Sequence, residues 1–165
     1  MELKERLEQE SAGWRAMNAN PGAWLMQEFV VRKGRVYPAR SLPSKFPKME
    51  PRFCFSNAAS LMKRRRNLRY CEGFAARPDW PIVFHHAWVV DTEDGIIDPT
   101  LDDPTEYEYV GVPYTREQYR AAHGKKRTPA LFLSDEELVN ARFLFQQCPE
   151  LRDLVDPVLL DRFER

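Results

Sequence analysis

The 165-residue chain reads as an α+β protein, and three observations predict it. Helix-like patterns stand at both ends, and a run of short alternating segments fills the middle. A further helix pattern begins directly after Cys54, just ahead of that run. Residues 2–17 set Leu3, Leu7, Trp14 and Met17 among charges, the pattern of an amphipathic helix. The turn formers Asn18-Ala19-Asn20-Pro21-Gly22 end it. Residues 23–31 read as a strand, and Lys33-Gly34 turns the chain into Arg35-Val36-Tyr37, so a hairpin is expected. Prolines at 38, 43, 47 and 51 predict an irregular segment that crosses the surface and delivers the chain to Cys54, because each ring fixes φ and removes a donor.

Residues 55–66 form the next helix, with Phe55, Ala58, Ala59 and Met62 at i, i+3, i+4 and i+7. Its basic C-terminal end complements the helix dipole. Strands follow at Leu68–Ala75, Ile82–Val90, Ile96–Asp98 and Tyr107–Val112, separated by turns and stopped at Pro99. Beyond them, Thr115–Ala122 reads as a short helix closed by Gly124. Ser134-Asp135-Glu136-Glu137 reads as a capping box opening a helix to about Gln147, and residues 150–164 as further helical turns around Pro157. One domain is expected: a lead-in over 1–50, a core over 51–113 and a helical part over 114–165.

Twenty-five basic and 25 acidic residues cancel, so no overall field draws the protein to nucleic acid or an anionic membrane. The run Lys63-Arg64-Arg65-Arg66 reads as a solvated helix end, with phosphate contact its alternative. No apolar stretch reaches the roughly 20 residues of a membrane span, and the charged start lacks the apolar centre of a signal peptide. Three cysteines without a Cys-x-x-Cys pair argue against a disulfide framework and for a reducing compartment, and the cytoplasm is the expectation. Cys54, Cys71, His85, His86 and His123 lack the paired spacing of a zinc site, so neither a metal nor another cofactor is expected.

Chemistry concentrates around Cys54. A thiolate at a helix start is stabilised by free backbone N–H groups and the positive end of the dipole, and the same N–H groups can bind an oxyanion. His86 lies in the apolar run Phe84-His85-His86-Ala87-Trp88-Val89-Val90, where both ring nitrogens need partners. His85 alternates to the opposite sheet face, so only one of the two joins Cys54. An acid follows across a turn in Ile97-Asp98-Pro99-Thr100 and can orient the imidazole. A tight turn at Asp94-Gly95 would instead bring Asp102 or Asp103 nearer His86, whereas a wider loop over 91–95 favours Asp98.

Four other residues are candidates for substrate contact. Asn57 is a cap or a contact, and Glu72 a buried carboxylate in the cleft or an exposed edge residue. Trp88 is core or a substrate platform; Gln27, with Trp24, is available as an upstream oxyanion donor. Gly111-Val112-Pro113-Tyr114 is expected to form a wall or turn near the site.

The string His86-Ala87-Trp88, followed after a turn by Asp98-Pro99-Thr100, resembles the signature of the transglutaminase-like branch of papain-fold enzymes. The resemblance covers about residues 50–113, with Cys54, His86 and Asp98 in the family's order of nucleophile, base and acid. Two features depart from it: the 12-residue interval from His86 to Asp98 is short, and Phe53 and Phe55 stand where a tryptophan is usual beside the cysteine. The resemblance implies a papain-like α+β core in which the cysteine-bearing helix packs on a small antiparallel sheet. It also implies acyl transfer through a thioester on a protein, peptide or small amide substrate. Hydrolysis, deamidation, transamidation and acetyl transfer are the open outcomes. Cysteine alkylation against pH, with His86→Ala, separates this expectation from a non-catalytic binding module.

Overall fold

Leu3 and Leu7 are one helical turn apart and Ser11 one turn further, so a single stripe of the first helix is buried. This helix, α1 (Leu3–Ala16), opens on a capping box between Glu2 and Glu5. The computed structural model describes residues 2–134 and 138–164 of the chain. Its second element is α2 (Pro21–Lys33), which corrects the strand and hairpin expected over 23–37. The turn formers ahead of it are a helix start: Pro21 takes the first helical position, where its missing N–H costs nothing, and the Asn20 side chain accepts from the Ala23 N–H. Trp24, Leu25, Phe29 and Val30 are then buried at helical spacing, and Glu28 binds back to α1 through Ser11 at 3.2 Å and Arg15 at 2.7 Å. Burial of that apolar face against α1 outweighs the β-branched residues near its end.

The short strand β1 (Arg35–Tyr37) follows but finds its partner 70-odd residues downstream, pairing Arg35 with Gly111 and Tyr37 with Tyr109. The proline-spaced stretch then runs without helix or strand to α3 (Cys54–Arg64), as its fixed φ angles require. Four more strands complete the sheet: β2 (Arg69–Ala76), β3 (Val83–Val90), β4 (Ile96–Ile97) and β5 (Glu108–Tyr114). All pairs are antiparallel, in the order β1-β5-β2-β3-β4.

Alternation divides the side chains between two cores. Tyr70, Phe74, Ala87, Val89 and Val110 face the helices and join Leu25, Phe29, Ala58 and Met62 in the main core. Tyr37, Cys71, Trp88, Val90, Ile96 and Tyr109 form a smaller core on the other face. Arg6 of α1, almost fully buried, donates to the carbonyls of Arg77 and Trp80 and so pins the β2–β3 connection.

The C-terminal part is helical. The helix α4 (Arg116–His123) has the Thr115–Gln118 capping box and ends at Gly124, whose φ of 55° suits glycine. Two helices, α5 (Ala141–Gln147) and α6 (Pro157–Glu164), follow. The helix expected from Ser134 starts only at Ala141, capped by Asn140, because Leu133 and Val139 bridge as a β pair and hold the chain extended ahead of it. Residues 135–137 of the expected capping box lie outside the described residues.

Gly73 sits where β2 meets β5, opposite Gly111. A Cβ there would come within 2.1 Å of the Val110 carbonyl oxygen and 2.4 Å of the Gly111 Cα, both backbone atoms in mid-sheet. Gly73→Ala should therefore destabilise the fold by about 1–3 kcal/mol, read as a lower urea midpoint with unchanged slope.

Candidate active site

Cys54 is the first residue of α3, and the residue in the capping position, Phe53, has no side-chain acceptor. The first helical bond runs from the Asn57 N–H to the Phe53 carbonyl. The N–H groups of Cys54, Phe55 and Ser56 therefore have no intrahelical acceptor, and the Phe53 side chain does not cap them. A helix start capped by phenylalanine leaves its donors for something else, at a cysteine that is 8% exposed.

β3 pairs with β4 only at Val89 and Val90, against Ile97 and Ile96. The loop between them is wide: the Asp91 N–H reaches the Gly95 carbonyl, Asp94 takes a positive φ of 60°, and the Asp91 carboxylate accepts from the Glu93 and Gly95 N–H groups. With that register Asp98 follows Ile97 on the face of Trp88 and His86, and its carboxylate reaches diagonally to His86. The imidazole Nε2–H donates to Asp98 Oδ2 at 2.7 Å, since a carboxylate can only accept.

Asp98 is itself held from several sides. Oδ2 also accepts from the Tyr109 hydroxyl at 3.0 Å, and Oδ1 accepts from the Thr100 and Leu101 N–H groups at 2.8 and 3.3 Å. Burial alone would raise its pKa, but the His86 charge and these hydrogen bonds hold it below the ordinary carboxylate value. Burial likewise works against protonated His86, and the charge of Asp98, the hydrogen bond it accepts and the nearby Cys54 outweigh it, pushing the imidazole up to about 9. His86 thus has Asp98 on Nε2, and the nearby Cys54 also favours its protonated form. The Trp88 ring stacks on His86, 6.1 Å between centroids and 24° from parallel, and closes the space behind it.

The other two cysteines are chemically quieter. Burial drives the Cys71 thiol well above its ordinary value, and burial with the adjacent Glu150 carboxylate raises Cys148. The structure brings neither Asp102 nor Asp103 to His86. The Asp102 side chain is fully exposed, 3.4 Å from Lys48, and Asp103 caps a short 3-10 helix through Thr105.

The remaining sequence candidates are spent on the fold. Asn57 is buried and its amide donates to the Glu50 carbonyl at 2.7 Å and the Thr100 hydroxyl at 3.0 Å, clamping the lead into Cys54 against the turn after Asp98. Glu72 is buried on the opposite sheet face, where it accepts from Tyr70, His85 and the Leu131 and Phe132 N–H groups. It is a tether for the C-terminal segment, and neither an exposed edge residue nor a wall of the cleft. Trp88 is fully buried behind His86 and cannot offer a platform to substrate. Gln27 lies within α2 and donates to Glu10 at 3.1 Å, and its neighbour Trp24 is core, under the Arg15 guanidinium. The stretch 111–114 belongs to β5, and Gly111 makes room for the Trp88 ring, which a Cβ would meet at 2.6 Å.

Sequence reasoning missed Tyr109 and Thr100 as partners in the site. Tyr109 lies in a segment read as a strand, but only the β1–β5–β2 register shows that its hydroxyl points at Asp98. Among the described residues no group of three or more His, Cys, Asp or Glu side chains is arranged to hold a metal ion. Among the same residues no helix is long and apolar enough to cross a membrane.

Comparison with protein-family models, with curated proteins and with solved structures returns no match for the chain. What the fold and the site define is an α+β protein in which a buried strand histidine binds an aspartate beyond the next strand, and a helix-start cysteine bears on the histidine's charge. The functional reading rests on that geometry.

Proposed function

We propose that the protein is a cysteine-dependent acyl-transfer enzyme with a papain-like, transglutaminase-like core, acting on an amide or peptide bond through a thioester. The observation that carries the reading is the buried His86 bound to a fully hydrogen-bonded Asp98, with Cys54 close enough to act on its charge. Order and spacing of the three residues in the chain, and the uncapped start of α3, point the same way.

In this reading His86 takes the thiol proton and becomes the imidazolium that Asp98 favours. The sulfur attacks the carbonyl carbon, and the C=O electron pair moves to oxygen, which the free N–H groups at the start of α3 receive. Collapse of the adduct expels the amine, which leaves with the proton from His86. Water or a second amine then attacks the thioester with His86 again as base, returning the thiol and releasing an acid or a new amide.

A second reading, a binding module that keeps the fold without the chemistry, draws support from burial: His86 is only 2% exposed. Acylation with p-nitrophenyl acetate separates the two. Intact-mass analysis of quenched samples should show one acetyl group on Cys54, absent in Cys54→Ala and discharged faster when an amine is added if the enzyme is a transferase. No adduct on Cys54, with iodoacetamide labelling it no faster than Cys148, would remove the enzyme reading.

A further inference from the structure

The basic run at the end of α3 does not form one patch. The Arg65 guanidinium turns over the Phe46 ring, 5.0 Å from its centroid. Arg66 lines a separate groove of about 570 Å³ together with Arg69 of β2 and Arg116 and Arg120 of α4. Asn67 and Thr115 add polar groups, and Glu117 is the one carboxylate in the lining. Four arginines, from the α3–β2 turn, β2 and α4, thus line one concavity in a chain whose formal charge is zero.

Two of these arginines are held in place. Arg69 donates to the Asp91 carbonyl and the Asp94 carboxylate, and Arg116 donates to the carbonyls of Met62 at 2.6 Å and Lys63 at 3.0 Å. Each guanidinium has five N–H donors, so both keep donors beyond these bonds. Arg66 and Arg120 are exposed, and neither has an ion-pair partner among the described residues. Like charges gathered in a concave site repel one another unless an anion sits between them.

We infer that this groove between the α3–β2 turn, β2 and the start of α4 binds a small phosphate-bearing ligand through Arg66, Arg69, Arg116 and Arg120. Guanidinium forks match phosphate oxygens two at a time, and the groove has the volume of a small-molecule site. A nucleic-acid surface would instead spread its cations along a stripe and shift the net charge. The groove lies at the far end of α3 from Cys54, about 15 Å along the helix axis, so it is independent of the acyl chemistry proposed above.

The test is calorimetric titration of the full chain with inorganic pyrophosphate and, separately, with a nucleoside 5′-monophosphate. One equivalent should bind, and the double variant Arg66→Glu with Arg120→Glu should weaken it about tenfold or more. Lys45→Glu, a charge change outside the groove, should leave the affinity as it was, and the double variant should keep the wild-type alkylation rate of Cys54. Tighter binding of pyrophosphate points to an inorganic ligand and tighter binding of the nucleotide to an organic one; either supports the site. Failure of both to bind, or equal binding to the double variant, overturns it. So does a single-stranded oligonucleotide that binds more tightly than either, with affinity falling steeply in salt.

Discussion

His86→Ala should slow acylation of Cys54 by about 10²–10⁴-fold, the span usual for loss of a positioned acid–base group. It should leave alkylation of Cys71 and Cys148 unchanged. In the proposed mechanism the imidazole links Cys54 to Asp98, so removing it takes away the proton acceptor and the cationic partner of the sulfur together. The measurement is the second-order rate of labelling by p-nitrophenyl acetate and by iodoacetamide at pH 7, resolved by peptide mass analysis. His86→Gln provides the control, because it fills the space behind Cys54 and can still meet Asp98 but cannot carry a charge. If Gln restores the rate, packing and not proton transfer explains the effect. In the wild type, acyl transfer should also decline as pH rises through about 9, where His86 gives up the proton the leaving amine needs.

Asp98→Ala should cost stability as well as rate, by about 3–5 kcal/mol, because it strands a buried imidazolium without its counter-charge. It also leaves the Tyr109 hydroxyl and the Thr100 N–H without their acceptor. The pH dependence carries the signature. His86 is raised from 6.5 to about 9, so its contribution is complete below pH 6.5 and is lost as pH climbs through about 9. Asp98 is lowered, so its contribution is present above the ordinary carboxylate range near 4 and disappears as pH falls through its folded value. Wild-type stability should therefore peak between about pH 4 and 6.5 and decline toward 9, whereas Asp98→Ala should lose most of that decline. Urea midpoints across pH 4–10 for the two proteins test this. Parallel curves would show that the His86–Asp98 pair does not carry the pH dependence.

Much of the site was legible in the sequence because its signals are local. A cysteine before a helix pattern, a histidine inside an apolar strand and an aspartate after the following turn are each visible within a dozen residues. Alternation alone sends His85 and His86 to opposite faces, and in the structure they bind different carboxylates, Glu72 and Asp98. The stretch 23–31 was not legible. Its apolar run suits a strand or a buried helix equally, and the choice fell to the Asn20–Pro21 start and the face that α1 offered. Glu72 was ambiguous for a similar reason: only the return of residues 131–132 onto the sheet supplies the N–H groups that make a buried carboxylate tolerable there.

The sequence by itself determined the α+β class, the helix that begins at Cys54, the strands over 69–90 and the separation of the two histidines. These follow from periodicity, turn chemistry and the two-residue repeat of a strand, all short-range properties. Tertiary structure alone decided that Asp98 meets His86 while Asp102 and Asp103 stay at the surface, since this depends on the width of the 91–95 loop and the register it imposes. It also decided that Tyr109 completes the carboxylate's shell and that four arginines share one groove. Such contacts join segments far apart in the chain, and no local pattern encodes which faces will cover one another.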